Sequence, residues 1–417
     1  MTTTSRAFVR TTRVAALVLV AGCDLKVTNP GPVQASFLDN AAALTAVANG
    51  AGRDLGEALN WTAYTGGAVT KEILPSGSTA AFGISVRQQL GVLAADDGGD
   101  WWNQAQRARW TAENGVERIR RVLGATASNN VNLAQTLIWV GYSNRHLAEN
   151  FCDGIIDGGP VQAYTVYLER AEAAFTEAIT VATAASNTPL RDAATAGRAS
   201  VRLLRNNLTG ASADAAAISN TFAYRMPFFV NTVAQYNRVY WASANQPYRA
   251  HTVWGTYYEQ YRRSTRDPRV PYDSSLTVRN GDAAVASLGG QVRWYFQTKF
   301  PDRASSINLA TGWEMRLIEA EALLVAGDVA GAMTKLNARR IALTLAPWTA
   351  VDATEAWVAL KRERGIELWL EGRRLGDQRR WAALNRPGVS DDLTGRSLCF
   401  PTPLSETETN PNLIPTP

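Results

Sequence analysis

E-R-G-I-E-L-W-L-E-G-R-R-L-G-D-Q-R-R-W, Glu363 to Trp381, sets three acids at four-residue spacing ahead of a cluster of arginines. On a helix Glu363, Glu367 and Glu371 form one drifting stripe, and Ile366, Trp369 and Leu370 form an apolar face elsewhere. Gly372 suits a helix end, and Arg373, Arg374, Arg379 and Arg380 crowd the turn beyond it. Carboxylates on one element facing guanidiniums on the next predict a bidentate network pinning two helices together. An ion-pair scaffold explains such a stripe more simply than catalysis does.

Working outward, W-E-M-R-L-I-E-A-E-A-L-L-V-A-G-D-V-A-G-A-M-T-K-L-N-A-R-R (Trp313–Arg340) reads as two helices broken at Gly327-Asp328, a pair of tetratricopeptide type. Asp352 with Glu355 makes a capping box opening the Glu363 helix. Three stretches together resemble the SusD/RagB family. The first is E-R-x-x-E-L-x-x-E-G-x-R-x-x-D-x-x-R-W, matched by Glu363, Arg364, Glu367, Leu368, Glu371, Gly372, Arg374, Asp377, Arg380 and Trp381. The second is the A-E-A-L-x-x-x-G-D unit of the helix pair. The third is the ending F-P-T-P-L-S-E-T-E-T-N-P-N-L. The resemblance implies a surface lipoprotein that captures nutrients, mostly glycans, beside a SusC-like TonB-dependent transporter. It also implies that Glu363, Glu367, Glu371, Arg374, Asp377, Arg380 and Trp381 are architectural.

The N-terminus reads as a targeting segment. Arg6, Arg10 and Arg13 precede the apolar run Val14–Ala21, which is too short to span a bilayer. Val20-Ala21-Gly22-Cys23 resembles a bacterial lipobox, which implies cleavage after residue 22 and lipidation of Cys23; a plain secretory signal with an incidental cysteine is the alternative. Acyl chains on Cys23 would anchor the protein to a membrane. Residues 23–38 suit a tether, and 39–417 a single domain. Asp24 directly after the lipidated cysteine resembles an inner-membrane retention signal of some enteric bacteria, against the outer-membrane, cell-surface location that the family implies.

Loss of residues 1–22 takes three of the 42 basic residues, so 39 face 37 acids and the formal charge falls from +5 to +2. No basic run interleaves with the aromatics, which argues against nucleic acid as a partner. With Cys23 committed, Cys152 and Cys399 remain, an even pair in an oxidising compartment. They are expected to form a disulfide, with two buried thiols as the alternative.

Along the chain, Asp39 is placed to cap a helix from Asn40 to Leu59, and Trp61–Gly99 lacks sustained periodicity. Trp101–Leu123 is helical, Val131–Glu149 and Ala163–Thr183 form an antiparallel pair, and Asp192–Asn206 and Ser212–Asn220 continue the run. Residues 221–306 read as a loop-rich insertion that the motif resemblance leaves uncovered, and 311–417 as the C-terminal helical region. The expected fold is mainly α: a SusD-like scaffold with tetratricopeptide-like helix pairs and that insertion.

Catalytic patterns are scarce. His146 and His251 have no partner at metal-ligand spacing, and no nucleophile elbow, Walker sequence or dinucleotide fingerprint occurs. No enzyme, cofactor or metal site is expected; Asp96-Asp97-Gly98-Gly99-Asp100 is the strongest cation candidate, but its spacing is not that of an EF-hand. Thirteen tryptophans are more informative, because indole and phenol rings stack on the apolar faces of sugars while Asn and Arg bond the hydroxyls. The candidates are Trp61, Tyr64, Arg87, Trp101, Trp102 and Asn103 in the first irregular region, and Trp241, Tyr248, Trp254, Tyr257 and Tyr258 in the second. The expected function is capture of an oligosaccharide or peptide for uptake. A helical-repeat protein adaptor and a surface glycosidase are the rivals.

Overall fold

Alanine-rich helices with asparagine caps build the N-terminal half. The computed structural model describes residues 35–82, 84–244, 248–282, 292–390 and 393–413; the signal segment, Cys23 and the tether before residue 35 lie outside the described residues. Helices α1 (Leu44–Val69), α2 (Val86–Gln89), α3 (Gly99–Leu123), α4 (Val131–Asn150), α5 (Thr165–Ala184), α6 (Thr188–Leu204) and α7 (Leu208–Ala216) follow in order. Asn130, Asn187 and Asn207 accept first-turn N–H groups at the starts of α4, α6 and α7, satisfying donors that a helix start leaves unpaired. Asp39 does not cap. It pairs with Arg118 and Arg121 at 2.6 and 2.7 Å, and Asn40 accepts from the Ala43 N–H instead.

Helix α4 packs on α1, α3 and α5. The Phe175 ring of α5 lies against Gly141 of α4 and Gly197 of α6; a Cβ on Gly141 would lie 2.6 Å from it. Those glycines let three helices close around one ring.

Among the described residues, four two-stranded antiparallel ribbons punctuate the helices. They pair β1 (Leu74–Pro75) with β5 (His251–Thr252), β2 (Asp153–Gly154) with β3 (Gln162–Ala163), β4 (Ala223–Met226) with β8 (Ile307–Thr311), and β6 (Tyr272–Ser274) with β7 (Tyr295–Gln297). The stretch 221–306 also carries α8 (Arg238–Ser243) and α9 (Tyr257–Thr265), whose brevity hides them from a periodicity reading. Beyond it run α10 (Gly312–Val325), α11 (Val329–Ala342), α12 (Ala353–Glu367), α13 (Arg374–Ala383) and α14 (Leu404–Thr409). The fold is mainly α. Helices α10 and α11 break at Gly327, whose φ of +84° an L side chain rarely adopts, and Asp328 caps α11. Asp352 caps α12 through the Glu355 N–H at 2.8 Å, and the Glu355 carboxylate accepts from the Val351 N–H. Cys152 and Cys399, 247 residues apart in sequence, form a disulfide with Cα atoms 5.1 Å apart.

The opening stretch departs from the expected helix running through Glu371 to an end at Gly372. Helix α12 stops at Glu367, and residues 368–373 turn through Leu370 (φ +60°) and Gly372 (φ +73°). The reason lies on α1 and just after it. The buried Glu72 carboxylate accepts the Leu370 N–H at 2.9 Å, and Gly372 lies so close to Ala63 that its Cβ would sit 3.2 Å away. Helix α1 therefore continues to Val69 instead of ending at Leu59. Its Thr62, Thr65, Gly66 and Gly67 are buried beneath this turn and elsewhere in the core, although their composition resembles a loop.

The acids and arginines of the stretch mostly find partners elsewhere. Glu363 takes Arg269 and Arg340, Glu367 takes Arg269 at 2.9 Å, and Glu371 takes Lys299 at 2.8 Å and Asn308 at 2.7 Å. Arg373 meets Glu149 and Glu314 at 2.8 and 2.9 Å; Arg364 meets Asp377 at 2.6 Å; Arg380 meets Asp377 and Glu321. Arg379 donates to the carbonyls of Ala148 and Phe151. Burial would raise the carboxyls of Glu314 and Asp377, but the surrounding guanidiniums outweigh it and hold both below their ordinary values.

Arg373→Ala would leave Glu149 and Glu314 buried beside an empty site; we expect a loss of about 3–5 kcal/mol in urea unfolding. Glu72 behaves in the opposite sense. Burial, only partly offset by the Leu370 N–H, Arg374 and Lys299, raises its carboxyl from 4.5 to about 7. A raised folded pKa stabilises the fold fully below the unfolded value, and that contribution is lost as pH rises through 7. Glu72→Gln is therefore expected to raise unfolding stability at pH 8 by up to about 3 kcal/mol, with little effect near pH 4. Denaturant midpoints at the two pH values check this.

Candidate functional site

Asn60 sits on α1, 2% exposed, one residue before Trp61. Its side-chain amide donates to the Tyr236 carbonyl and accepts the Arg238 N–H at 2.6 Å, clamping the start of α8 to α1. The clamp lays the Arg238 guanidinium over the Trp61 indole, 3.2 Å from the ring centroid. A second buried asparagine, Asn237, caps α8 through the Tyr240 N–H. Its own N–H reaches the Arg303 carbonyl, and its side chain donates to the Ser305 carbonyl, both at 2.8 Å. That holds the loop before β8 in place and sets Arg303 over Trp241 at 4.5 Å and Tyr236 at 5.0 Å.

The result is a shelf of half-buried rings. Tyr236 meets Trp241 edge-on at 5.2 Å, and Trp241 meets Tyr248 at 5.9 Å. Buried rings support it from below: Trp61 on Trp101 at 6.1 Å, and Tyr248 on Phe82 at 5.0 Å. The hollow at its edge, between Glu57, Phe229 and Gln235, holds about 20 Å³, so a ligand would lie across the shelf instead of entering the protein. Burial pulls Arg238 down to about 10, against the charges of Tyr64 and Glu57.

Of the sequence candidates, the shelf brings together Trp61, Trp241 and Tyr248. Tyr64, Trp101, Trp102 and Tyr258 are in the core, where a ligand cannot stack on them. Tyr64 shares a 2.6 Å hydrogen bond with His251 Nδ1, Trp102 donates to Glu406 at 2.9 Å, and Tyr258 stacks on Trp369. His146 and His251 are likewise buried, which lowers both to about 3 and keeps the imidazoles neutral at ordinary pH. Tyr257 stands apart, between Tyr261 and Arg362. Trp254 is 39% exposed, and Asn103 is exposed on α3. Arg87 is exposed and occupied by Asp96 and Asp97, whose carboxylates therefore face a guanidinium. Among the described residues no group of three His, Cys, Asp or Glu could hold a metal ion.

Reading the sequence missed Tyr236, Arg238, Arg303 and the two asparagines. The signal available was the interleaving of Asn and Arg with aromatics in Y-N-R-V-Y-W (Tyr236–Trp241). A roomier cleft of about 270 Å³ opens by the exposed Trp110, but its polar groups are engaged: Arg109 by Glu113 and Asp157, Glu406 by Trp102, and Gln106 by Ile155 and Tyr167.

The described residues thus form a helical scaffold of packed helix pairs that carries a shelf of half-buried rings. Residues 222–414 match the SusD family, a span that includes nearly all of the stretch the motifs left uncovered. That region, a little under half of the chain, belongs to the SusD/RagB family. A SusD superfamily protein from Bacteroides vulgatus ATCC 8482 has a similar structure, with a TM-score of 0.66 at 14% identity over 89% of this chain and 97% of that one. A laminarin binding SusD-like protein gives 0.61 at 15% identity over 88% and 97%. A SusD-like carbohydrate binding protein, also from Bacteroides vulgatus ATCC 8482, gives 0.60 at 17% over 81% and 83%. No curated protein matches the chain in sequence. No helix among the described residues is long and apolar enough to cross a membrane.

Asn60→Ala removes both ends of the α1–α8 clamp. We expect about 1–3 kcal/mol lower stability and an altered tryptophan emission spectrum as Arg238 leaves Trp61.

Proposed function

We propose that this protein is a lipid-anchored, surface-exposed binding protein of the outer membrane. It captures an oligomeric glycan on the aromatic shelf and hands it to a SusC-like TonB-dependent transporter. The observation that carries this reading is the shelf itself. Rings held at fixed angles by buried asparagines present apolar faces to sugar C–H groups, with guanidiniums beside them to bond hydroxyls. Pre-set rings lose little freedom on binding, so stacking energy is retained as affinity. The relatives named for laminarin and carbohydrate binding support a glycan over a peptide. Lipidation at Cys23 and delivery to a transporter rest on the lipobox and on family membership. Binding without catalysis suits a shelf that lies open to solvent.

The test is a glycan array followed by calorimetry on the mature protein. One oligosaccharide class is expected to bind, and Trp241→Ala and Trp61→Ala should each weaken it roughly tenfold, at about 1–2 kcal/mol per stacking ring. Absence of binding across the array, or unchanged affinity in both variants, would overturn the assignment of the shelf. Co-purification with a transporter from intact outer membranes tests the delivery step.

A further inference from the structure

Arginines in this chain are mostly paired. Arg109, Arg198, Arg202, Arg269, Arg364 and Arg373, among others, each contact at least one carboxylate within 3.5 Å. The shelf departs from this pattern. Neither Arg238 nor Arg303 has an ion-pair partner among the described residues; each is held by a ring face instead. Arg238 is half-buried, and its Nε is enclosed without a hydrogen-bond partner among the described residues. The nearest acid that acts on it, Glu57, is already engaged by Arg53 and Arg107. The two arginines are neighbours in space, since the Arg303 carbonyl accepts from Asn237, the residue before Arg238.

A cation moved partly out of water without a counter-charge is costly, and cation–π contact recovers only part of that cost. Arg238 is such a cation, and the exposed Arg303 beside it is a second guanidinium without a carboxylate among the described residues, so the pair is poised for anions supplied by the ligand. Guanidinium also matches carboxylate and sulfate oxygens in paired geometry. We infer that the shelf takes an anionic oligosaccharide, its acidic groups held by Arg238 and Arg303 and its ring faces by Trp61, Trp241 and Tyr236. The inference rests on the glycan-binding reading above and narrows its substrate class. Sugar carboxylates and sugar sulfates share the required chemistry.

Calorimetry with three length-matched ligands tests it: an oligogalacturonate, a sulfated oligosaccharide and a neutral laminari-oligosaccharide. One or both anionic ligands should bind at least tenfold more tightly than the neutral one, and the difference should shrink as salt is raised from 50 to 500 mM. Arg303→Gln and Arg238→Gln should each reduce anionic affinity roughly tenfold or more. The two anionic arms separate carboxylate from sulfate recognition. Arg303 is exposed, so its variant keeps the test valid even if Arg238→Gln fails to fold. Equal or tighter binding of the neutral ligand would overturn the inference and leave the glycan-binding reading intact, as would unchanged anionic affinity in folded Arg variants. Failure of all three ligands, together with the wider array, would remove both.

Discussion

A buried lattice of guanidiniums and carboxylates is the constraint on which the C-terminal half depends. Glu314, fully buried in the first turn of α10, receives Arg373 and Arg364 and a hydroxyl from Ser200 on α6. Arg364 and Arg380 share the two oxygens of Asp377, and Arg380 continues to Glu321. Five helices, α4, α6, α10, α12 and α13, thus contribute to one network with almost no water access. Removing charges from water costs several kcal/mol per ion, and only close geometry with satisfied oxygens recovers it. Such a lattice adds little net stability over an apolar core of the same volume. Its effect is on arrangement, because a helix slipped by one residue would bury unpaired charges.

The same stretch reaches the shelf through its turn. Where α12 ends, Leu368 to Gly372 pack against α1, with Glu72 binding the Leu370 N–H and Gly372 pressed to Ala63. Lys299 fixes the turn from the other side, donating to the Trp369 carbonyl and pairing with Glu371. Asn60 and Trp61 lie on α1 within one helical turn of Ala63. The architectural motif therefore sets the position of the helix that carries one edge of the candidate site. Its acids are taken by Arg269, Arg340, Lys299 and Asn308, and the turn after them is what packs on α1.

Local signals made much of this legible. Period-3.6 patterning located the N-terminal helices to within a few residues at most ends, and Gly327-Asp328 marked the break between α10 and α11, because a glycine with positive φ followed by a capping acid is a local device. Features set by distant partners were not legible. The turn after Glu367 packs against Glu72 and Ala63, and nothing within Glu363–Trp381 announces those partners. The arginines after the glutamates invited pairing with those glutamates, but their main partners, Glu149, Glu314 and Glu321, come from other helices. Composition located the aromatics without saying which face them: Tyr64, Trp101, Trp102 and Tyr258 are core, while Trp61, Trp241 and Tyr248 are half-exposed. That Arg238 and Arg303 meet no carboxylate among the described residues is likewise something only a folded chain reveals.

The two halves of the molecule treat arginine in opposite ways, and that contrast bears on what the shelf can do. In the lattice each guanidinium is neutralised within the protein, so its charge directs folding and is invisible to solvent. On the shelf the guanidiniums lie on rings, where the π face offsets part of Arg238's desolvation cost, and neither meets a carboxylate among the described residues. Buried arginines such as Arg109, Arg269, Arg364 and Arg373 each meet a carboxylate, whereas Arg238 and Arg303, beside the half-exposed rings, meet none among the described residues and keep bonding capacity in reserve at that surface. Two asparagine clamps hold α8 and the loop before β8 in place beneath it. That combination of rigid apolar faces with unspent cationic edges suits an extended polymer of alternating apolar and charged character, lying along the surface instead of entering a pocket.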